Sequence, residues 1–331
     1  MTAAVTAVEA VPLYAAVDVG IGALSKAALY IVIASGLSLI FGLMGVLNFA
    51  HGSLTMIGAY LGGAAMVATV SAGTGGLARF VLFFLAIAAV FGLLTAFGAG
   101  VEVALIRPIY DREPLFQILL TFGLVLVLDE AARIVAELGG LQPQTTWQDA
   151  LGTAPEYLAS KYVFLGVNTQ WALFAFEALV GLLVVVTILL FLNETRYGLY
   201  IRAGSEDPEM TQALGIDVRR AFTVVFGVGS GLAGLAGVLL MWDPRFGASV
   251  PLSVDTLLIA FIVVIIGGLG SFRGTVVAGL LVGLVDALMT WVFVNHINNP
   301  GLPELVLFGV LVVVLVVRPK GLFGVAEVGG H

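Results

Sequence analysis

Long apolar stretches separated by short polar turns set the pattern of this chain. A membrane span needs about twenty apolar residues, and stretches of that length without any charge recur along the sequence. The pattern predicts an all-α polytopic membrane protein with about eight or nine transmembrane helices. The nine predicted spans are Leu24–Leu43, Leu54–Val70, Phe80–Ile106, Leu115–Ile134, Trp171–Leu192, Ala221–Met241, Thr256–Leu269, Val276–Val294 and Leu302–Val317.

Charged residues are concentrated in the segment Glu194–Arg220, which holds nine of the 35 in the chain. Within it, Ser205–Gly215 carries the signals of a very short helix. Asp207 can cap the first turn, Pro208 fits the first helical position, and Gly215 suits the left-handed residue just past the end. This segment is the most obvious polar surface of the chain.

The predicted short helix has an apolar face. Met210, Ala213 and Leu214 lie at i, i+3 and i+4 spacing, and Glu209 adds negative charge at the positive end of the helix dipole. Glu206, one residue before the cap, opens the same segment. Helices shorter than about twelve residues are marginal alone in water, so this one is expected to dock onto a partner. The alternative is an ordinary loop between two spans.

A second polar feature interrupts the apolar N-terminal third. Only Gly45–Ser53 separates the first two spans, too few residues for a conventional loop, so one of these spans is expected to be broken or re-entrant. Asn48 and His51 lie in this break. Polar side chains at membrane depth are costly unless they face a cavity or a partner, which makes both candidates for the translocation pathway. The alternative is a cytoplasmic turn in which both satisfy backbone groups.

Other carboxylates lie within or near the spans. Asp286 stands alone in the eighth span and is a third candidate for the pathway. Glu102 precedes Arg107 by five residues, and Asp129–Glu130 precedes Arg133 by about one turn. Such groups are either proton relays or, more commonly, structural ion pairs near the interface.

A short internal similarity suggests a repeat. Gly42–Leu47 and Gly234–Leu239 agree at five of six positions and close predicted spans that run in opposite directions. Matching segments of opposite orientation are expected from an inverted repeat, and many transporters place their pathway between such repeats.

Composition narrows the classes of function. Hydrophobic residues make up 60% of the 331 and charged residues 11%, far from the balance of a soluble protein. The net charge of −7 argues against nucleic-acid binding, and the absence of cysteine excludes thiolate metal sites and cysteine nucleophiles. His51, His296 and His331 have no ligand partner at metal-binding spacing. We therefore expect a chain that binds and moves a solute and holds no cofactor or metal.

Basic residues predict the orientation. With the N-terminus outside, nine of the fourteen Lys and Arg residues lie on the cytoplasmic side, as the positive-inside rule requires. This places the C-terminus and the loop 194–220 in the cytoplasm, and the longest loop, 135–170, outside.

Several motifs together resemble the permease subunits of prokaryotic ABC importers for branched-chain amino acids, of the leucine/isoleucine/valine type. The similarity covers about Gly20–Gly324. The segments that carry it are GLSLIFGLMGVLNFAHGSLTMIGAY at Gly36–Tyr60, Glu102 with Arg107-Pro108, TRYGLYIRAGSEDPEMTQALGIDVRRAF at Thr195–Phe222, the glycine turn Gly267–Gly274, and Arg318–Leu322. No family motif stands in the outer loop, about Gln142–Thr169.

The resemblance implies a single transmembrane permease domain over residues 1–331 in the inner membrane. It implies a second homologous permease subunit, two cytoplasmic ATP-binding-cassette subunits that hold ATP and Mg²⁺, and an external substrate-binding protein. The chain itself would be no enzyme. The coupling segment of the family corresponds here to Glu206–Leu214, which coincides with the capped helix.

Alternatives stay open within and outside this family. Relatives of the family carry urea, short amides or other small carboxylates, so the solute is not fixed by the motifs. A different class is a self-sufficient secondary transporter that uses Asp286 or Asp129 for proton coupling.

Overall fold

The computed structural model describes residues 13–71, 73–110, 112–142, 158, 162–164, 167–297 and 302–324. In this part of the chain the fold is helical, with one short antiparallel ribbon that pairs Tyr162 with Thr169. The helices are α1 (Leu13–Met44), α2 (His51–Thr69), α3 (Gly76–Val101), α4 (Pro114–Leu138), α5 (Trp171–Glu194), α6 (Arg196–Glu206), α7 (Pro208–Ala213), α8 (Val218–Trp242), α9 (Leu252–Gly267), α10 (Phe272–Val292) and α11 (Leu302–Val317). The strands are β1 (Tyr162–Phe164) and β2 (Val167–Thr169).

All nine predicted spans fall in helices, with ends displaced by up to four residues, except that α1 begins at Leu13, eleven residues before its predicted start. Within the described residues, six helical segments are long and apolar enough to cross a membrane, and α9 and α11 are shorter apolar helices. The helix that begins as α3 continues through a π-helical turn, Glu102–Ile106, and a 3₁₀ turn, Arg107–Ile109. The prediction of a polytopic all-α membrane protein is confirmed.

Helices α1 and α8 form the centre of the bundle. α1 packs against α5, α8 and α10, and α8 packs against α1, α2 and α3. Glycines allow this close approach: a Cβ at Gly229 would lie 2.9 Å from the Gly36 carbonyl oxygen, and one at Gly58 would lie 2.6 Å from Gly234 Cα. The large exposed apolar side chains lie mainly on the peripheral helices, as expected for surfaces that face lipid or another subunit.

The packing of α1–α3 is repeated by α8–α10. In this repeat α1 corresponds to α8, α2 to α9 and α3 to α10. The contact of α1 with α10 therefore matches that of α8 with α3, and the contact of α1 with α9 matches that of α8 with α2. Contacts of Gly58 with Gly234 and of Gly62 with Val238 show that α2 and α8 run in the same direction. In α1, Gly36 lies against Gly229 of α8, whereas Ile40, one turn later, packs in one cluster with Phe226, which comes earlier in α8, so α1 and α8 run in opposite directions. The expected inverted repeat is therefore visible in the packing of the helices.

The hexapeptide match does not mark equivalent positions in this repeat. Gly42–Leu47 spans the last turn of α1 and the non-helical link that follows, where Gly45 has φ of 67°. Gly234–Leu239 lies inside α8, where every residue but Leu235 is buried. The sequence interpretation of the hexapeptide was wrong, because one copy ends a helix and the other continues one.

Candidate functional site

The link between α1 and α2 returns into the bundle. His51, the first residue of α2, lies with a ring nitrogen 2.7 Å from the carbonyl oxygen of Ile33. Ile33 stands eleven residues before the end of α1, about 16 Å along a helix axis. α2 therefore begins beside the middle of the first predicted span, and the link between α1 and α2 folds back into the bundle.

Asn48 and His51 are both fully buried in this link. The Asn48 carboxamide oxygen accepts a hydrogen bond from the Ala50 N–H at 3.1 Å, so each of the two side chains satisfies one backbone group. The other polar atom of each, Asn48 Nδ2 and His51 Nδ1, has no partner among the described residues. Buried polar atoms without partners are uncommon in native proteins.

The first turns of α2 and α9 meet at the carboxylate of Asp129, on α4. The Ser53 hydroxyl donates to Asp129 Oδ1 at 2.6 Å, and the Ser253 hydroxyl donates to Asp129 Oδ2 at the same distance. Both serines are buried, and Gly52 packs against the Ser253 backbone. The positive ends of two helix dipoles therefore favour this negative charge. Sequence reasoning grouped Asp129 with Arg133, whereas the structure places it at the junction of the two repeats.

Asp286 is not alone in the bundle. Its Oδ2 lies 2.9 Å from Lys26 Nζ on α1 and accepts a hydrogen bond from the Tyr30 hydroxyl, and its Oδ1 accepts from Thr290 at 3.1 Å. Asp286 and Tyr30 are buried. The structure therefore gives this carboxylate an ion-pair partner and places it on the wall of a cavity between α1, α9, α10 and α11.

A neighbouring charge cluster escaped the sequence analysis. Arg245, in the link between α8 and α9, lies 2.6 Å from Asp243 and 3.0 Å from Glu177, and it donates to the Ser25 hydroxyl at 2.7 Å. Glu177 and Asp243 are buried. The one available signal was Glu177, an isolated carboxylate inside a predicted apolar span.

Glu102 and Arg107 form a structural pair. Arg107 Nη2 lies 2.8 Å from Glu102 Oε2, and the hydroxyls of Thr223 and Tyr110 donate to the same carboxylate at 2.8 and 2.6 Å. Burial, together with the hydrogen bond to Glu102, raises the pKa of the Tyr110 phenol above its ordinary value. Glu130 is paired with Arg133 at the exposed end of α4. The structure thus favours the ion-pair interpretation for both arginines.

The charged block 194–220 folds into α6, α7 and the start of α8. The Asp207 carboxylate accepts a hydrogen bond from the Met210 N–H at 2.9 Å, Pro208 opens α7, and Gly215 follows with φ of 81°. The predicted capped helix is therefore present. The sequence did not predict α6. Thr195, the N-cap residue just before this helix, accepts a hydrogen bond at its hydroxyl from the Gly198 N–H.

The apolar face predicted for α7 is uncovered. Met210 is 59% exposed and Leu214, the residue that follows the helix, is 74% exposed. Ala213 is also exposed, while Thr211 is buried. The predictions for the side chains of Glu206, Pro208 and Glu209 fall outside the side chains that the structure describes.

These features define a polytopic membrane protein with charged groups gathered inside its helix bundle. The family profile of the branched-chain amino acid transport system permease component matches residues 21–315, and the chain belongs to this family. It is 30% identical over 314 residues to the high-affinity branched-chain amino acid transport system permease protein BraD of Pseudomonas aeruginosa, covering 93% of this chain and 95% of that protein.

Two further relatives bear related names. The permease protein LivH of the high-affinity branched-chain amino acid transport system of Escherichia coli is 28% identical over 312 residues, covering 90% of this chain and 92% of that protein. A probable branched-chain amino acid transport permease protein LivH of Methanocaldococcus jannaschii is 26% identical over 318 residues, covering 92% of this chain and 91% of the relative. No solved structure matches the chain.

Proposed function

We propose that the chain is the membrane-embedded permease subunit of an ATP-driven importer that moves branched-chain amino acids into a prokaryotic cell. Residues 1–331 form one permease domain in the inner membrane, with the N-terminus outside and the C-terminus in the cytoplasm. Membership of the permease family supports this proposal, and the observation that carries the ATP-driven part is α7, a capped helix with an uncovered apolar face.

The apolar face of α7 docks into a groove of a cytoplasmic ATPase subunit. A six-residue helix gains little from its own backbone bonds, and its cap and the burial of Thr211 hold it in place instead. Exposed Met210 and Leu214 then have the character of a helix-in-groove contact, in which a few apolar side chains anchor the helix. Movement of the ATPase is passed to α8, which follows α7 directly and packs at the centre of the bundle.

The remaining machinery lies on other chains. A second permease subunit completes the membrane domain, two ATPase subunits bind ATP and Mg²⁺, and an external binding protein delivers the solute to the side that carries the loop 135–170. In this chain, Asn48 and His51 mark the re-entrant break and Asp286 lines a cavity, so these residues are the candidates for contact with the pathway.

Reconstitution of the complete complex in liposomes tests this function. Radiolabelled leucine is expected to accumulate when the binding protein and ATP are supplied on their proper sides, and ATP with a mutant ATPase that binds but does not hydrolyse it should give no accumulation. Uptake by the permease chains alone, driven by a proton gradient without ATP, would establish the secondary-transporter alternative. Uptake of urea or short amides without uptake of leucine would show that the importer carries those solutes instead of branched-chain amino acids.

A further inference from the structure

A cavity of about 360 Å³ lies between α1, α9, α10, α11 and the link before α9. Pockets for small molecules start at roughly this volume. Its walls combine charged groups of both signs with aliphatic and aromatic side chains. The charged members are Lys26, Arg245, Asp255, Asp286 and Glu304, and the apolar members include Phe246, Leu258, Ile259, Ile262, Leu307 and Phe308.

The buried wall of the cavity presents the positive charge. Lys26 is 13% exposed and its ammonium group lies between Asp286 and Thr290, 2.9 and 3.0 Å away. An ammonium group has three donors, so one more acceptor can be accommodated beside these two. Arg245 is already held by two buried carboxylates, which leaves Lys26 as the better place for an incoming carboxylate.

The exposed side of the cavity presents negative charge without a protein partner. Asp255 near the start of α9 and Glu304 near the start of α11 line the cavity, and neither makes an ion pair or a side-chain hydrogen bond within the described residues. A carboxylate that faces a cavity without a partner can accept hydrogen bonds from a cationic ligand. Two such groups facing one cavity favour a cationic group between them.

We propose that this cavity is a receiving site for a free aliphatic amino acid in its zwitterionic form. The ammonium group lies between Asp255 and Glu304, the carboxylate accepts from Lys26, and the side chain packs against Ile262 and Leu307, which are buried in the wall. The site rests on the proposed import function and names the form of the solute that this chain itself contacts. Neutral urea and amides lack both charges, and the acidic side of the cavity repels simple carboxylates.

Protection from labelling tests the site directly. The chain contains no cysteine, so Leu258→Cys and Phe308→Cys, two partly exposed cavity residues, each provide a single thiol in this chain, whose labelling is read from its own band after the reconstituted complex is denatured. Leucine is expected to slow their reaction with a water-soluble thiol reagent severalfold. It should leave Leu138→Cys, at the exposed end of α4, unaffected. Either cavity variant suffices if the other does not assemble.

Two analogues separate a zwitterion site from a simple apolar pocket. Isocaproate keeps the carboxylate of leucine without the ammonium, and isoamylamine keeps the ammonium without the carboxylate. Leucine should protect at concentrations where neither analogue does. Equal protection by either analogue, or no protection by leucine, would overturn the inference.

Charge removal completes the test. The double variant Asp255→Asn/Glu304→Gln is expected to raise the half-protecting leucine concentration at least about tenfold, because two charge-assisted contacts are lost. Glu137→Gln, an exposed carboxylate on α4, should not change it. An unchanged half-protecting leucine concentration in the double variant would refute the site. Failure of ATP-driven leucine uptake by the wild-type complex would instead refute the proposed function.

Discussion

Ser53 and Ser253, in the first turns of α2 and α9, each donate a hydrogen bond to one oxygen of the same carboxylate, Asp129. The two helices belong to opposite halves of the inverted repeat, and the carboxylate belongs to neither helix. A single side chain of α4 therefore ties together the two helix starts at the centre of the bundle.

We predict that removal of either serine hydroxyl destabilises the bundle through Asp129. Ser53→Ala and Ser253→Ala should each lower the free energy of unfolding by about 1.5–3 kcal/mol, because each removes a bond to a charged acceptor. In an Asp129→Ala background the same substitutions should cost much less, since the stability effects of substituting residues that contact each other are not additive. Equilibrium unfolding in detergent measures the cost of each serine substitution with and without the Asp129 carboxylate.

Thr69→Ala provides the control for this cycle, because the Thr69 hydroxyl is exposed and bonds only the Ala65 carbonyl of its own helix. It should change the unfolding free energy little in either background. Equal costs of the serine substitutions with and without Asp129 would show that the carboxylate does not link the two helices.

A second prediction concerns the glycines between α2 and α8. A Cβ at Gly237 would lie 2.6 Å from the Ala59 backbone nitrogen, and a backbone contact between two packed helices cannot move aside cheaply. Gly237→Ala should therefore cost at least about 1–3 kcal/mol. Gly92→Ala, in α3, meets nothing within 4 Å and should be neutral or stabilise by about 0.5–1 kcal/mol. Similar thermal stabilities of the two variants would contradict this packing.

A third prediction separates the two arginine pairs. Arg107→Ala leaves the fully buried Glu102 without its counter-charge and should cost about 2–3 kcal/mol, less than a completely buried pair because Arg107 is 30% exposed. Arg133→Ala breaks exposed pairs and should cost under about 1 kcal/mol. Thermal unfolding of the two variants makes the comparison.

Glu102→Gln tests the cause of the larger cost. It should restore part of the stability that Arg107→Ala removes, because the buried charge is then gone. Equal losses in the two arginine variants, or no rescue by Glu102→Gln, would mean that Glu102 is compensated without Arg107.

Features that depend on neighbours in the sequence could be predicted. The Asp207 cap, the Pro208 start and the left-handed Gly215 are set by local backbone chemistry, and all three occur as expected. The Glu102–Arg107 pair is within one and a half helical turns, so its geometry was also accessible. Hydrophobicity alone located the nine apolar segments that fall in helices, six of them in helices long and apolar enough to cross a membrane within the described residues.

Features that depend on packing between distant segments could not be predicted. Asp129 faces Ser53 and Ser253 instead of Arg133, and Asp286 pairs with Lys26, because helices far apart in the chain meet in the bundle. Periodicity tells which residues share a helix face but not which helix that face meets. The cavity beside Asp286 was hidden for the same reason.

The central claim is that the chain receives the work of ATP hydrolysis through the apolar face of α7, and leucine uptake by a Met210→Asp complex tests it most directly. Uptake should fall at least tenfold, about 1.4 kcal/mol or more, while the permease stays in the membrane. Gln212→Asp adds the same charge to the opposite, exposed side of α7 and should leave uptake near the wild-type rate. Wild-type uptake by the Met210→Asp complex, with all partner subunits present, would contradict the claim.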